Sequence, residues 1–118
     1  MFSASTNAQT TTGADIIAKC KQAAADADNL KPDTVNRFDA GFCAGFMSGV
    51  NEDQLMWQAS DKMDHRDHIL SYCFPDASTN GQMLRVFVKY LDDHPEELHE
   101  SAAFLYLKAM HKAFPCGK

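Results

Sequence analysis

The sequence of 118 residues lacks an excess of positive charge, a long apolar run and any closely spaced pair of cysteines. Its formal net charge of −5 argues against nucleic-acid binding, because that interaction relies on a basic surface. No apolar run approaches the roughly 18 residues that a membrane-spanning helix needs, so we predict no membrane partner. Without a Cys-x-x-Cys pair, zinc ribbons and thioredoxin-like redox sites are also disfavoured.

The common catalytic patterns are missing as well. The chain contains no nucleophile elbow, P-loop, dinucleotide fingerprint or His-Glu-x-x-His motif. His65 lies three residues before His68, and His94 and His99 flank a proline, so zinc binding has to be weighed. However, Arg66 puts a positive charge into the first pair, and surface histidines without a metal are far commoner. We therefore predict no catalytic residue, no cofactor and no metal site.

The composition favours a single folded domain. Hydrophobic residues make up 45% of the chain and charged residues 23%, whereas disordered chains have few apolar residues. A chain of this size buries about two-thirds of its unfolded surface, which is enough for one core. We assign residues 13–118 to that domain and predict that the polar residues 1–12 are unstructured. Thr6 and Ala8 resemble the end of a cleaved leader, while a vector-derived or simply disordered end is the alternative.

The four cysteines are even in number and widely spaced, a pattern typical of two disulfides in an oxidising compartment. Four buried thiols in a cytosolic protein are the alternative. Four cysteines allow three pairings. We prefer Cys20 with Cys43, because these residues come level if the first two helices form an antiparallel hairpin. We also prefer Cys73 with Cys116, because both lie at ends of elements that can meet.

From Thr12 onward, apolar side chains recur at helical spacing, which predicts an all-α bundle of about five helices. Thr12 with Asp15, and Thr79 with Gln82, form capping boxes at two helix starts. Pro95 occupies a first helical position, at the start of the last helix. The predicted inward-facing residues are Ile16, Cys20, Ala23, Ala24 and Ala27; then Val35, Phe38, Phe42, Phe46 and Val50 on a helix continuing through Leu55 and Trp57; then Met83, Phe87, Tyr90 and Leu91; and finally Leu98, Ala102, Leu105, Ala109 and Ala113.

Three glycines recur at every fourth residue of the second predicted helix: Gly41, Gly45 and Gly49. Each costs about 1 kcal/mol of helix stability relative to alanine. We predict that a neighbouring helix backbone approaches closely at this face and offsets the cost. A membrane dimerisation motif is disfavoured, because the polar residues 51–53 follow at once.

Several motifs in the chain occur together in one known family. They are Cys43-Ala44-Gly45-Phe46-Met47-Ser48-Gly49-Val50, Cys73-Phe74-Pro75, Gly81-Gln82, Val88-Lys89-Tyr90-Leu91, His94-Pro95-Glu96-Glu97-Leu98-His99 and Ala113-Phe114-Pro115-Cys116. In this combination the chain resembles the Rap/Tai immunity proteins of bacterial type VI secretion. The resemblance runs roughly from Ile16 to Cys116. Residues 60–68 match no pattern of the family, and a full signal peptide is missing.

The resemblance implies a periplasmic helical protein that binds and blocks a peptidoglycan-cleaving amidase toxin, protecting the producing cell and its siblings. It further implies that a loop or helix of the immunity protein occludes the catalytic cleft of the toxin, and that the protein is often a homodimer. The helical pattern, the widely spaced cysteines and the lack of a catalytic motif agree with this function.

Residues 60–68 carry charges of both signs and are predicted to form an exposed loop or short helix. Loops on a rigid scaffold project readily into a partner's active site, so we predict toxin binding here. Its acidic members could meet the histidine of a Cys–His amidase, with Arg66 or Met63 as an anchor. A solvated connector without a partner is the alternative. The residues assigned to toxin binding are Asp61, Lys62, Met63, Asp64, His65, Arg66 and Asp67.

Other functions predict different features. Met56 or Trp57 would supply a dimer contact if exposed, although a core position is commoner for tryptophan. A periplasmic chaperone or small-ligand-binding helical module would need an exposed apolar groove. A small metal-dependent hydrolase would need stoichiometric metal.

Overall fold

The computed structural model describes residues 10–27, 36–64 and 70–117. This part of the chain is all-α, as predicted, with no strand beyond two isolated bridges. The prediction of about five helices is slightly off, because the described residues form four α-helices and one short 3-10 helix. These are α1 (Gly13–Ala27), α2 (Arg37–Asp64), α3 (Asn80–Asp93), η1 (Pro95–Glu97) and α4 (Ala102–Ala113).

Helix α1 begins with the predicted capping box. Thr12 N donates to Asp15 Oδ2 (3.0 Å), and Asp15 N donates to Thr12 Oγ1 (3.2 Å). The first of these bonds lowers the pKa of the Asp15 carboxyl group. Three residues of the predicted inner face are buried, which confirms that part of the prediction. Ala27, at the end of the helix, is exposed, so the prediction is wrong there. The buried residues of this face are Ile16, Cys20 and Ala23.

Helix α2 turns a different face to the core from the one predicted. Phe38 is 77% exposed and Phe42 is also exposed, whereas Phe46 and Val50 are half-buried. The predicted face was wrong because Cys43 points at α1, where it bonds to Cys20, and this rotates the two early phenylalanines toward solvent. Val35 lies outside the described residues. The buried residues of α2 are Ala40, Cys43, Met47, Gln54 and Asp61.

Helix α2 is also longer than predicted. It continues through Leu55 and Trp57, as expected, and ends only at Asp64. Residues 60–68 were predicted to form an exposed loop or a short helix; residues 60–64 are helical, but as the continuation of α2 and not as a separate element. Residues 65–69 lie outside the described part of the chain.

Among the described residues, no helix packs against the glycine row of α2. A Cβ atom built on Gly41, Gly45 or Gly49 would meet nothing within 4 Å, and all three residues are exposed. The predicted close approach of another helix is thus wrong, because α1 packs against the face that carries Cys43.

We expect Gly45→Ala and Gly49→Ala to raise the free energy of unfolding by about 0.5–1 kcal/mol each, since the added methyl group restricts the unfolded chain and enters open space. Urea unfolding measures this. The matched control is Gly13→Ala, whose Cβ would lie 2.6 Å from Leu105 Cδ1 and 3.2 Å from Leu98 Cα. That variant should lose stability. Destabilisation by Gly45→Ala would show that something packs on this face.

Helix α3 begins at the predicted cap, where Gln82 N donates to Thr79 Oγ1 (3.1 Å). Its predicted inner face is largely confirmed: Met83, Phe87 and Leu91 are buried, and Tyr90 is half-buried. Leu84 is buried as well and was not predicted to be. The Phe87 ring packs edge-on against Tyr106 of α4, with ring centroids 5.0 Å apart.

The last predicted helix is divided in two. Residues 98–101 separate η1 from α4, whose N-cap is Ser101. The break arises because α1 uses the carbonyl groups of this turn. Gly13 N donates to Glu100 O (3.0 Å), and Ala14 N donates to Leu98 O (2.9 Å). In α4, Ala102, Leu105 and Ala109 are buried as predicted, Leu98 before it is half-buried, and Ala113 is exposed.

The segment before α1 contacts the same turn. Thr11 O accepts a hydrogen bond from Ala102 N (2.7 Å), and Thr12 forms a bridge with Ser101. Residues 1–9 lie outside the described residues, so an unstructured tail over residues 1–12 stays a prediction for most of its length.

Two disulfides connect the elements, in both cases with the preferred pairing. Cys20 with Cys43 joins α1 to α2, and Cys73 with Cys116 joins the segment before α3 to the segment after α4. None of the helices in the described ranges combines the length and apolar character that a membrane span requires.

Candidate interaction surface

The solvent face of α2 carries a row of exposed apolar side chains, which we call the outer stripe. At 100° per residue its members lie within about 60° of one another around the helix axis. Gly45 and Gly49 lie between them and add no side chain. The outer stripe consists of two separate groups, because fourteen residues, about 21 Å along the helix, separate Phe42 from Met56. Exposed apolar groups of this kind are candidates for interaction sites. The outer stripe comprises Phe38, Phe42, Met56 and Met63, of which Met56 is 72% and Met63 80% exposed.

Trp57 lies beside the outer stripe and is 48% exposed, so the expected core position for this residue is wrong. Its indole Nε1 donates to Asp53 Oδ2 (3.0 Å), one helical turn earlier. At the other end of the stripe, Lys19 Nζ lies 5.4 Å from the centroid of the Phe42 ring. Both aromatic rings are thus held against the scaffold by a polar neighbour, which reduces the entropy that a partner would have to remove on binding.

The C-terminal half of α2 is attached to the body by side-chain amides. Gln54 Oε1 accepts a hydrogen bond from Tyr72 N (3.2 Å), and Gln58 Nε2 donates to Tyr72 O (3.1 Å). Both backbone groups of Tyr72 are therefore bonded to α2. Cys73 follows Tyr72 directly in the chain and is disulfide-bonded to Cys116. This disulfide and the two amides together hold the C-terminal half of α2 in place.

A third amide on α2 joins two buried tyrosines. Asn51 Oδ1 accepts hydrogen bonds from the hydroxyl groups of Tyr72 (2.8 Å) and Tyr106 (3.0 Å). Burial raises the pKa of Tyr72, and it raises the pKa of Tyr106 to about 12. Both hydroxyl groups therefore stay protonated and donate to Asn51 over the physiological pH range.

The residues predicted to bind a toxin fall into three groups. Lys62 and Met63 are exposed near the end of α2, as expected for a contact surface. Asp61 is only 4% exposed, because it lies on the inner face of the extended helix, and we withdraw it from that surface. Asp64 is the last residue of α2, while His65, Arg66 and Asp67 lie outside the described residues.

A polar cluster joins α3, η1 and α4. Glu97 Oε1 accepts hydrogen bonds from Tyr90 OH and Lys108 Nζ, both at 2.8 Å. Lys108 also bonds to Glu100 Oε1 (3.1 Å). The hydrogen bond from Lys108 lowers the pKa of Glu97, and the same bond raises the pKa of Lys108. Among the described residues, His94, Glu96 and Glu97 form a group with the ligand types that could hold a metal ion.

A groove of about 460 Å³ opens between α1, α2 and the start of α3. Small and apolar residues form much of its lining, among them Ala23, Ala40 and Met47. At one end Arg37 Nη1 lies 3.4 Å from Asp26 Oδ1. The size is within the range of small-molecule sites.

The sequence did not correctly predict which residues of α2 are exposed and which are buried. The bulky phenylalanines of α2 suggested an inner face, whereas the true inner face carries alanine, cysteine and polar residues. One signal was available: Ala40, Met47, Gln54 and Asp61 recur at intervals of seven, the spacing of a helix that packs along its length.

Comparison with known proteins gives one family. The family model for Rap1a immunity proteins matches residues 12–116. Comparisons with curated proteins and with solved structures give no significant match. Because the family match extends over nearly the whole chain, this protein belongs to the family of Rap1a immunity proteins.

Proposed function

We propose that this protein is a periplasmic immunity protein that binds a cognate peptidoglycan amidase toxin of a type VI secretion system and inhibits it by occluding its active site. The family match over residues 12–116 carries the proposal, since it indicates immunity against a toxin. The two disulfides fit an extracytoplasmic location, where such bonds persist. Proteins of this family are generally non-enzymatic, so protection results from binding alone.

The toxin-binding surface is the end of α2 together with the residues that follow it. Lys62 and Met63 project into solvent there, and we include residues 64–67 on the sequence argument. Met63 is an exposed, flexible apolar side chain, suited to fill a pocket at the centre of an interface. The amide contacts of Gln54 and Gln58 support this end of the helix.

A homodimer contact involves a separate part of α2. Met56 and Trp57 are both exposed and lie about two helical turns before Met63. Methionine and tryptophan are enriched in interface cores, which favours these residues for a contact with a second copy.

Met63→Asp is expected to weaken binding of the amidase by about 2 kcal/mol, roughly a thirtyfold higher Kd, because a carboxylate would replace an apolar anchor. Titration calorimetry with the cognate amidase toxin measures the loss, and peptidoglycan hydrolysis measures inhibition. The matched control is Met56→Asp, the same change at a similarly exposed position. It should leave the toxin affinity unchanged and lower the mass of the protein in solution.

The two parts of this proposal fail separately. Unchanged affinity of Met63→Asp would remove the end of α2 from the interface, while the immunity function stands. An unmodified protein that neither binds nor inhibits the amidase would refute the function itself.

The groove between α1, α2 and α3 favours a second candidate function, a periplasmic chaperone or small-ligand-binding module. Such a module needs an exposed apolar cavity, and the lining by Ala23, Ala40, Met47 and Leu84 provides apolar walls. Binding of a fluorescent apolar dye to the folded protein, lost on substituting Ala44→Glu at the groove wall, would support it. An absence of dye binding would exclude it.

A further inference from the structure

We propose that His94, Glu96 and Glu97 form a binding site for a zinc ion, at the turn between α3 and η1. Each of these residues offers one ligand atom, and the three atoms lie within 4.8 Å of one another. The turn itself creates the grouping. Residues three apart are eclipsed in a 3-10 helix, which brings residue 97 onto the face of residue 94.

The imidazole of His94 is oriented for metal binding by Tyr90. Its ring stacks on the Tyr90 ring, with centroids 4.0 Å apart, and its Nδ1 lies 2.8 Å from the Tyr90 carbonyl oxygen. A carbonyl oxygen only accepts, so Nδ1 carries the hydrogen, and in the neutral ring the lone pair is on Nε2. This arrangement, with a backbone carbonyl holding the second ring nitrogen, is the usual support of a metal-binding histidine.

The charge around the cluster favours a divalent cation. Glu97 uses Oε1 for Tyr90 and Lys108, which leaves Oε2 as a ligand. The carboxylates of Glu96, Glu97 and Glu100 are opposed by the single ammonium group of Lys108, so this group of four carries two more negative than positive charges. Glu96 is exposed and reaches the ion without desolvation of a buried charge.

The donor set selects the metal. One imidazole nitrogen and carboxylate oxygens suit zinc, with water in the remaining position, whereas magnesium prefers oxygen ligands alone. In the sequence, His94 and His99 flank a proline and were considered as zinc ligands, but the prediction was that the chain has no metal site. In the structure the cluster contains His94 and the two glutamates, and His99 is not part of it.

Titration calorimetry of the full chain with zinc chloride, after treatment with a chelator, tests the site. We expect about one zinc ion per chain and no comparable binding of magnesium. His94→Gln and, separately, Glu96→Gln should each weaken zinc binding roughly tenfold or more. Losing a residue that only hydrogen-bonds to a metal ligand already weakens metal binding by about this factor, and losing a ligand itself should cost at least as much. Glu96 is exposed and forms no contact in the core, so that variant tests the site even if His94→Gln is unstable.

The controls are His99→Gln and the double variant His65→Gln/His68→Gln, which remove the other histidines near carboxylates. Both should bind zinc as the unmodified protein does. Zinc binding that survives His94→Gln and Glu96→Gln, or that is lost in either control, would overturn the proposal. So would the absence of zinc binding in the unmodified protein.

Discussion

Reduction of both disulfides is expected to unfold this protein at physiological temperature. In the chain-entropy description, closing loops with sequence separations of 23 and 43 residues stabilises the folded state by about 3.5 and 4 kcal/mol. Together these values are of the size of a whole domain's stability, about 5–15 kcal/mol. Next to the first disulfide the α1–α2 interface includes the small side chains of Ala23 and Ala40, which bury little apolar area.

Thermal unfolding followed by circular dichroism, with and without reductant, measures this effect. The variants Cys20→Ala/Cys43→Ala and Cys73→Ala/Cys116→Ala separate the two disulfides. We expect the second pair to cost more, since its loop is longer and it also fixes Tyr72 against α2. A melting temperature that does not change while thiol labelling shows complete reduction would contradict the prediction.

The features predicted correctly from the sequence are those set by neighbouring residues. The cap of α1 needs only Thr12 and Asp15, three residues apart, and the cap of α3 needs only Thr79 and the backbone of Gln82. These caps form whatever the rest of the chain does, so the local sequence determines them. The disulfides span 23 and 43 residues, and their pairing followed instead from the predicted helix hairpin and from the ends of elements that can meet.

The face of α2 could not be predicted in the same way. Phe38 and Phe42 have the spacing of an inner face, but the bond between Cys43 and Cys20 decides which side of the helix meets α1. The amide contacts to Tyr72 were missed for a related reason. Polar residues on a helix are usually solvated, and nothing local indicates that Gln54 binds a backbone group 18 residues away.

The candidate surface was predicted only in part. The segment with charges of both signs was predicted to be an exposed loop or a short helix, yet α2 itself continues to Asp64 and buries Asp61. Met63 remains on the predicted surface, because the same helical continuation that turns Asp61 inward turns residue 63 toward solvent. A rotation of two residues, about 200° on a helix, separates these two positions.

The second large effect is expected from Asn51→Ala. This change removes the acceptor of two buried hydroxyl groups, those of Tyr72 and Tyr106, which are 2% and 0% exposed. Leaving a buried donor without a partner costs about 1–3 kcal/mol, so the free energy of unfolding should fall by about 2–6 kcal/mol for the two hydroxyl groups. Urea unfolding measures the loss. Ser48→Ala, at an exposed position one turn earlier on α2, is the control and should change stability by less than about 0.5 kcal/mol.

A double-mutant cycle with Tyr72→Phe separates the hydrogen bonds from general loosening of α2. Once the Tyr72 hydroxyl is absent, Asn51→Ala leaves only the Tyr106 hydroxyl unpaired. The loss caused by Asn51→Ala should therefore be smaller in the Tyr72→Phe background by about 1 kcal/mol. Equal losses in both backgrounds would mean that the Tyr72–Asn51 bond does not contribute. Gln54 and Gln58 bind the backbone of Tyr72, so both variants keep the hydrogen bonds that hold the C-terminal half of α2, which carries Met63.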